Sequence, residues 1–273
     1  MGYLHIPNLY KDQDILLMKQ CYAMEKIHGT SAHIKWDETG LSFFGGGVKL
    51  DDFEALFDQA LIAKVFHELN QLNVVIYGEA YGGKIQGMKA TYGDKLRFVV
   101  FDVKIGTCWL SVPKAQAIAA SFNLDFVAYN QGPCTIEWLD SQRDLESTQA
   151  LKNGIGTGHK REGIVIRPLI ELTRNDGDRI IAKHKSAEFS ETKSPRPMET
   201  DKLTVLSDAK AIAEEWVTEV RLAHVLGSIP PDNLSKDTRD IPLVINLMVE
   251  DVSRESKDEA IITKPVIAAI GRA

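Results

Sequence analysis

The chain has few cysteines, and their positions exclude the usual cysteine-based sites. Only three occur among 273 residues, at Cys21, Cys108 and Cys134. They are too few for a disulfide framework and too far apart for a zinc motif, and the histidines show no metal-ligand spacing either. We therefore expect a protein of a reducing cytoplasm without a dedicated zinc site.

Long apolar runs are lacking as well. The longest, such as 73–77 and 96–103, fall far short of the ~20 residues that a membrane-spanning helix needs. Residues 1–10 do not combine a cationic segment with an apolar core, which argues against a secretory signal. We expect no membrane partner.

The chain also lacks a surplus of positive charge, since 32 Lys and Arg face 38 Asp and Glu. Most of the deficit lies at the end: residues 186–273 hold 11 basic and 16 acidic side chains, against 21 and 22 in residues 1–185. A near-neutral surface can still carry a local basic groove. Charge alone neither supports nor excludes a nucleic-acid partner.

The pattern of the first 185 residues predicts an α+β fold, because strand-like and helical segments do not alternate strictly. Helical patterns cover 51–69 and 112–122, the latter with Ser111 and Pro113 as a start signal. The strand-like runs are 32–36, 41–44, 74–77, 96–103, 163–168 and 179–184.

The composition changes after Lys185. Residues 186–200, which include Pro195 and Pro197, have the character of a linker. We predict a catalytic domain over 1–190 and a small helical domain over 201–273. Helical periodicity covers 201–226, ended by Gly227, and further helices are predicted at 241–252 and 257–270.

Candidate functional residues come as five short motifs. The first is Glu25-Lys26-Ile27-His28-Gly29-Thr30, and by itself a lysine before a turn glycine indicates little. The other four follow in order along the chain. They are Tyr77-Gly78-Glu79-Ala80, Phe101-Asp102-Val103, Glu162-Gly163-Ile164-Val165-Ile166-Arg167 and Lys183-His184-Lys185.

A lysine that attacks the α-phosphate of ATP needs further cations for the phosphates, carboxylates for a divalent ion and an aromatic face for adenine. Residues of these types occur in the motifs. Lys183 and Lys185 are two apart, so on a strand they share a face. Alternatively, they form a solvated pair that protects a sheet edge.

Together, in this order, the motifs resemble the signature of covalent nucleotidyltransferases, which comprise DNA ligases, RNA ligases and mRNA-capping guanylyltransferases. The first motif is most similar to the RNA ligase 2 and RNA-editing ligase branch, since DNA ligases usually carry aspartate where His28 stands. The resemblance implies an ATP-grasp-like ligase catalytic domain with mixed or antiparallel sheets and a small helical C-terminal domain. The acidic, helical tail does not fit the OB domain of DNA ligases and capping enzymes.

The resemblance also implies a role for each matching residue. Lys26 would form the lysyl-AMP adduct, with His28, Lys183 and Lys185 acting in the chemistry. The nucleotide would contact Glu25, Ile27 and Gly29, and Glu79 would bind the ribose. Phe101 would stack on adenine, Arg167 would lie near the nucleotide, and Glu162 with Glu79 would help to bind Mg²⁺ or Mn²⁺.

One residue of the branch is missing. An arginine generally follows the lysine by about twenty residues, but this chain has none between Lys26 and Arg97. Lys49 could supply the cation, although without the bidentate geometry of arginine. The Gly45–Gly47 run could instead offer amides to a phosphate, or it could be only a flexible hairpin loop.

The sequence thus predicts an ATP-dependent ligase, expected to be a monomer, that joins the 5′-phosphate and 3′-hydroxyl ends of RNA or of a nicked duplex. The resemblance also allows a phage origin, with action in the host cytoplasm. Lys84 and Lys89 could touch the polynucleotide backbone. The alternatives are a DNA or RNA–DNA hybrid nick ligase, a capping-type guanylyltransferase, and a nucleotide- or RNA-binding homologue without catalysis.

Overall fold

Residues 2–186 contain two antiparallel β-sheets. In this computed structural model the described residues are 2–174, 177–189, 209–230, 238–257, 262, 266–267 and 270–271. The strands are β1 (Gln20–Lys26), β2 (Thr30–Asp37), β3 (Gly40–Phe44), β4 (Val74–Tyr81), β5 (Arg97–Ile105), β6 (Cys108–Trp109), β7 (Tyr129–Pro133), β8 (Gly163–Pro168) and β9 (Ala182–Lys185). The first sheet has the strand order β7-β1-β8-β9 and the second β3-β2-β4-β5-β6.

Alternation along β2 and β4 gives the second sheet two different faces. Ala32 and Ile34 are buried on one face, while Ser31 and His33 lie on the other. The register places Ser31 opposite Glu79, so Glu79 belongs to the polar face. Glu79 therefore lies on the face of the sheet opposite to the face that packs in the apolar core.

Helices accompany the sheets and confirm the α+β class. The predicted helix at 112–122 is present as Val112–Ser121, with Pro113 in its first turn. A single helix over 51–69 was wrong, because the Asp58 carboxylate accepts a bond from the Leu61 amide at 3.0 Å and starts a second helix there. The helices are α1 (Leu50–Glu54), α2 (Gln59–Leu69), α3 (Lys89–Tyr92), α4 (Val112–Ser121), α5 (Ile136–Arg143) and α6 (Thr148–Lys152).

Two of these helices cover the apolar face of the second sheet. Phe66 of α2 stacks on Trp36 with ring centroids 5.5 Å apart, and Trp36 shares the face of Ile34. Phe122, at the end of α4, lies 4.4 Å from Phe66. Helices α2 and α4 therefore lie behind the sheet, on the face away from Glu79.

The chain divides into two compact units, Met1–Ser186 and Ala187–Ala273. The second unit contains helices α7 (Ala209–Trp216), α8 (Glu219–Ser228) and α9 (Ile241–Glu255). Its own core includes Trp216, Val225 and Val252. Each unit thus has an apolar core of its own.

Within the second unit the helix predicted at 241–252 is confirmed. One continuous helix over 201–226 was wrong, because the Thr218 hydroxyl accepts a bond from the Arg221 amide at 3.2 Å and begins α8. Gly227 lies inside α8 rather than after it. Residues 190–208, most of the expected linker, and most of 257–270 lie outside the described part of the chain. In the part that is described, no helix has both the length and the apolar character to cross a membrane.

Candidate active site

Lys26 ends β1 in a row of residues that crosses the first sheet. Lys26 pairs with Gly163 of β8, and Gly163 pairs with Lys185 of β9. Strands lie about 4.8 Å apart, so the two lysines start about 10 Å from each other. A Cβ on Gly163 would lie 2.2 Å from the His184 carbonyl oxygen, which explains why glycine stands there.

The Glu162 carboxylate contacts both lysines of this row and also His28. Its Oε2 lies 2.8 Å from Lys26 Nζ and 3.2 Å from His28 Nδ1, and its Oε1 lies 3.1 Å from Lys185 Nζ. The carboxylate is 1% exposed. Burial opposes its ionisation, but Lys26, Lys185 and His28 hold the pKa of Glu162 well below its usual range. One buried anion therefore organises three groups of the predicted chemistry.

The loop after β1 is fixed against the second sheet. The Gly29 amide donates to Glu79 Oε1 at 3.1 Å, and the His28 amide donates to the Tyr92 hydroxyl at 3.3 Å. A Cβ on Gly29 would lie 2.3 Å from the Ala80 carbonyl oxygen. The motif glycine is thus required because β4 passes directly beneath the loop.

Glu79 and Glu162 have opposite protonation tendencies. Burial raises the pKa of Glu79 to about 7, with Lys26 opposing and Glu162 adding to the rise. The pKa of Glu162 is depressed instead. Such a separated carboxyl pair is typical of functional sites.

Lys183 is buried rather than at a solvated edge. Its amide donates to the Pro7 carbonyl at 2.8 Å, and its carbonyl accepts from the Leu9 amide at 2.8 Å. The residue is only 8% exposed. The alternative of a solvated pair protecting a sheet edge was therefore wrong, because the N-terminal segment covers β9.

Glu25 and Ile27 flank Lys26 but point to different environments. The Glu25 carboxylate accepts from Ser147 Oγ at 2.6 Å and from the Thr148 amide at 3.1 Å, which fixes the start of α6. Ile27 is 3% exposed and belongs to the main core. Their expected contacts with the nucleotide stay a prediction.

Phe101 occupies a β-bulge. Tyr77 pairs with Asp102 and Gly78 with Val100, which leaves Phe101 as the extra residue of β5. Bulges redirect side chains and often occur beside active sites. The ring of Tyr3 packs on Phe101 with centroids 4.8 Å apart. Phe101 thus has no partner on β4, and its expected stacking on adenine stays a prediction.

Arg167 lies in a different cluster from Lys26. Its guanidinium donates to Asp102 at 2.9 Å and also bonds to Glu171, and both acids bind Arg179 as well. It stands four residues along β8 from Gly163, a distance of about 13 Å. The contacts show a buried ion network, and a role beside the nucleotide stays a prediction.

The segment that lacks the expected arginine forms a fitted turn. The Gly47 amide donates to Thr30 Oγ1 at 3.1 Å, and the Val48 amide donates to the Gly45 carbonyl at 3.1 Å. Gly46 has a φ of +62°, and a Cβ there would lie 2.4 Å from the Ser31 carbonyl oxygen. Lys49 is exposed at the start of α1, and its contact with a phosphate stays a prediction.

Several contacts of the site could not be found in the sequence. Tyr92 is 64 positions from His28, and Ser147 is 122 positions from Glu25. Neither residue belongs to a motif, and no local pattern marks it. Only the folded chain shows that these hydroxyls bond to the residues on either side of Lys26.

Comparison with known proteins identifies the family. A model described as RNA ligase matches residues 19–185, more than half of the chain. The chain belongs to the RNA ligase family. This result confirms the family predicted from the five motifs, all of which lie within the match. No curated protein sequence matches the chain.

Solved structures of RNA ligases share the fold. A Naegleria gruberi RNA ligase with PPi aligns with a TM-score of 0.54 and 16% identity. Variants of that ligase with AMP and Mn or with ATP and Mn give TM-scores of 0.54 at 15% and 17% identity. Each alignment covers 69% of this chain and 57% of the ligase. At this identity the likeness shows the nucleotidyltransferase fold alone.

Gly29→Ala should impair both folding and the site. The added methyl group cannot fit beside the Ala80 carbonyl, so we expect a loss of about 2 kcal/mol in unfolding free energy. Covalent labelling by ATP should fall at least about tenfold, because the loop carrying His28 must move. Urea unfolding and labelling with radioactive ATP measure the two effects.

Gly40→Ala is the control for this substitution. Gly40 has a φ of +99° and no atom within 4 Å of an added Cβ, so its cost is backbone strain of about 1 kcal/mol without a clash. Labelling should stay at the wild-type level in this variant. Equal losses of labelling in both variants would contradict a steric role for Gly29.

Glu79→Gln tests the raised pKa. A carboxyl whose folded pKa lies near 7 rather than 4.5 stabilises the fold at low pH and loses this contribution as the pH rises towards 7. Between pH 4.5 and pH 7 the unfolding free energy of the wild type should therefore fall by about 3 kcal/mol relative to that of Glu79→Gln.

Urea unfolding of both proteins across this pH range in metal-free buffer measures the difference. Glu68→Gln, at an exposed position of α2, is the control and should run parallel to the wild type. A constant difference between wild type and Glu79→Gln would mean that Glu79 titrates normally.

Proposed function

We propose that the protein is an ATP-dependent RNA ligase that joins 5′-phosphate and 3′-hydroxyl ends through a lysyl-AMP intermediate. The observation that carries this proposal is the Glu162 cluster, which holds Lys26, Lys185 and His28 together in a chain of the RNA ligase family. A role in adenylylation accounts for the placement of two lysines and a histidine around the one buried carboxylate of Glu162.

In the first step Lys26 Nζ attacks the α-phosphorus of ATP. The new N–P bond forms as the bond to the bridging oxygen breaks, and pyrophosphate leaves with that oxygen. Lys26 must first leave its ion pair with Glu162 and lose a proton to become nucleophilic. Lys183 and Lys185 on β9, two strands from Lys26, would stabilise the charge that develops on the phosphate.

Two further steps complete the reaction. A 5′-phosphate oxygen of the RNA attacks the adenylate phosphorus, and the N–P bond to Lys26 breaks. The 3′-hydroxyl of the other end then attacks the activated 5′-phosphate and expels AMP, which joins the strands. Glu79 and Phe101 would hold the ribose and adenine throughout.

The carboxylates fit a divalent ion of the Mg²⁺ or Mn²⁺ kind. Among the described residues, no three His, Cys, Asp or Glu side chains are grouped to hold a metal. A hard cation bound to substrate phosphates needs only one or two protein carboxylates, which Glu162 and Glu79 would supply. Such an ion would neutralise phosphate charge and orient the leaving group.

The relatives support the choice of ATP and a divalent metal. The Naegleria gruberi ligase structures name ATP, AMP, PPi and Mn. This chain spans only 57% of their length, so its activity and RNA substrate are part of the proposal. We further propose that the chain acts as a monomer in a reducing cytoplasm, in keeping with its three free cysteines.

Incubation of the wild type with ATP labelled at the α-phosphate, Mg²⁺ or Mn²⁺, and then denaturing electrophoresis tests the proposal. Label on the protein with ATP but not with GTP is the expected result. A panel of nicked duplex RNA, single-stranded RNA, nicked DNA and a hybrid nick should show sealing of RNA ends. No label with either metal would overturn the proposal and favour a binding protein without catalysis.

A further inference from the structure

Residues 82–93, which we term the basic loop, differ in charge from the rest of the chain. The protein as a whole has a net charge of −6, yet residues 80–93 contain no Asp or Glu. Lys84 and Lys89 are both exposed. The loop is thus a local positive feature on an acidic protein.

The basic loop has a defined shape. The Gly83 amide donates to the Gly93 carbonyl at 2.9 Å and closes the loop at its base. Gly82 has a φ of +84°, and a Cβ there would lie 2.3 Å from the Lys95 carbonyl oxygen. Within the loop the Met88 amide donates to the Ile85 carbonyl at 3.1 Å. A loop held in this way presents its lysines at little entropic cost.

The basic loop lies directly beside the nucleophile segment. It begins three residues after Glu79, and at its other end the buried Tyr92 accepts a hydrogen bond from the His28 amide at 3.3 Å. Lys89 precedes Tyr92 by three residues, about one helical turn of α3. Both ends of the basic loop therefore lie beside the segment of Lys26 and His28, where a 5′-phosphate must arrive.

The two lysines have no ionic partner within the described part of the chain. Lys84 and Lys89 make no ion pair there, whereas Lys35 pairs with Asp37 at 2.5 Å and Lys64 with Glu68 at 3.7 Å. Exposed cations without an acidic neighbour attract an anionic partner. The proposed mechanism already assigns Lys26, Lys183 and Lys185 to the reacting phosphate.

We propose that the basic loop binds backbone phosphates of the RNA strand whose 5′ end reaches Lys26. The inference rests on the proposed function and names the surface that its substrate uses. An RNA offers a row of phosphates beyond the reacting one, which two exposed amines on a fixed loop can neutralise. The contacts would position the strand without reading its sequence.

Binding of a 5′-phosphorylated nicked RNA duplex, without ATP, tests the loop. Each phosphate contact contributes a slope of about 0.9 to the dependence of log affinity on log salt. The double variant K84A/K89A should therefore lose about 1.8 of the wild-type slope. Between 50 and 200 mM salt its affinity should fall about 12-fold less than that of the wild type. Fluorescence anisotropy at several salt concentrations measures this slope.

Two variants serve as controls. K64A/K114A removes two exposed lysines from α2 and α4, behind the sheet, and should keep the wild-type slope. K84R/K89R keeps the charges and should bind like the wild type. Thermal unfolding confirms that each variant is folded.

The result is decided by the slopes. A wild-type slope in K84A/K89A, or an equal reduction in K64A/K114A, would overturn the basic loop as the RNA contact. A wild type that does not bind RNA would also overturn it. Labelling of the wild type with ATP is measured separately, so a failure of adenylylation is distinguished from a failure of the loop.

Discussion

Lys26→Ala is expected to reduce covalent labelling by ATP at least about 1,000-fold. Losses of this order follow removal of a catalytic nucleophile, because no neighbouring group can form the same bond. Lys185 starts about 10 Å from Lys26 across Gly163, and the spacing of the strands keeps it from taking that place. Electrophoresis after incubation with α-labelled ATP measures the adduct.

Lys64→Ala is the matched control for the nucleophile. It removes one lysine from α2, where the side chain is 71% exposed and paired only with Glu68. Such a surface pair contributes about 0–1 kcal/mol, so folding and labelling should be unchanged. If Lys26→Ala retains as much label as Lys64→Ala, another residue is the nucleophile and the proposed mechanism is wrong.

Glu162→Gln should have the second largest effect. It removes the one charge shared by Lys26, His28 and Lys185 while preserving the shape of the side chain. Leaving buried cations without their anion costs about 3–5 kcal/mol, and we expect the lower end because Lys26 is 24% exposed. Labelling should fall at least about 100-fold, because Lys26 and Lys185 lose their relative positions.

Glu79→Gln provides a comparison within the same site. At pH 7.5 this variant should be as stable as the wild type or more stable, since burial raises the pKa of Glu79 to about 7 and disfavours its charge. Urea unfolding of both variants measures the contrast. If the two substitutions change stability in the same direction and by the same amount, the two carboxyls do not have the opposite roles described above.

Much of the secondary structure could be predicted from local patterns. The strand at Gly163–Pro168 has the predicted bounds, and the helix at Val112–Ser121 differs by one residue at its end. The strand β1 was missed, because residues 21–25 are all buried and show no alternation of polar and apolar side chains. Lys26 therefore lies on a strand that the local sequence pattern does not indicate.

The errors in the helices have a common cause. Asp58 and Thr218 each accept a hydrogen bond from an amide three residues later, and each begins a new helix within a segment of continuous apolar periodicity. The periodicity of side chains predicts which face is buried. It does not predict where the backbone is interrupted, since a capping bond depends on the direction in which the chain turns.

The sequence by itself determined the family, the α+β class and the set of chemical groups, because the order and spacing of the five motifs are properties of the chain alone. Only the tertiary structure decided how these groups meet. Lys26 lies on β1 and Lys185 on β9, and Glu162 directly precedes Gly163 of β8, which pairs with both lysines. The opposite pKa shifts of Glu79 and Glu162 arise from burial and neighbouring charge, which exist only after the strands have paired.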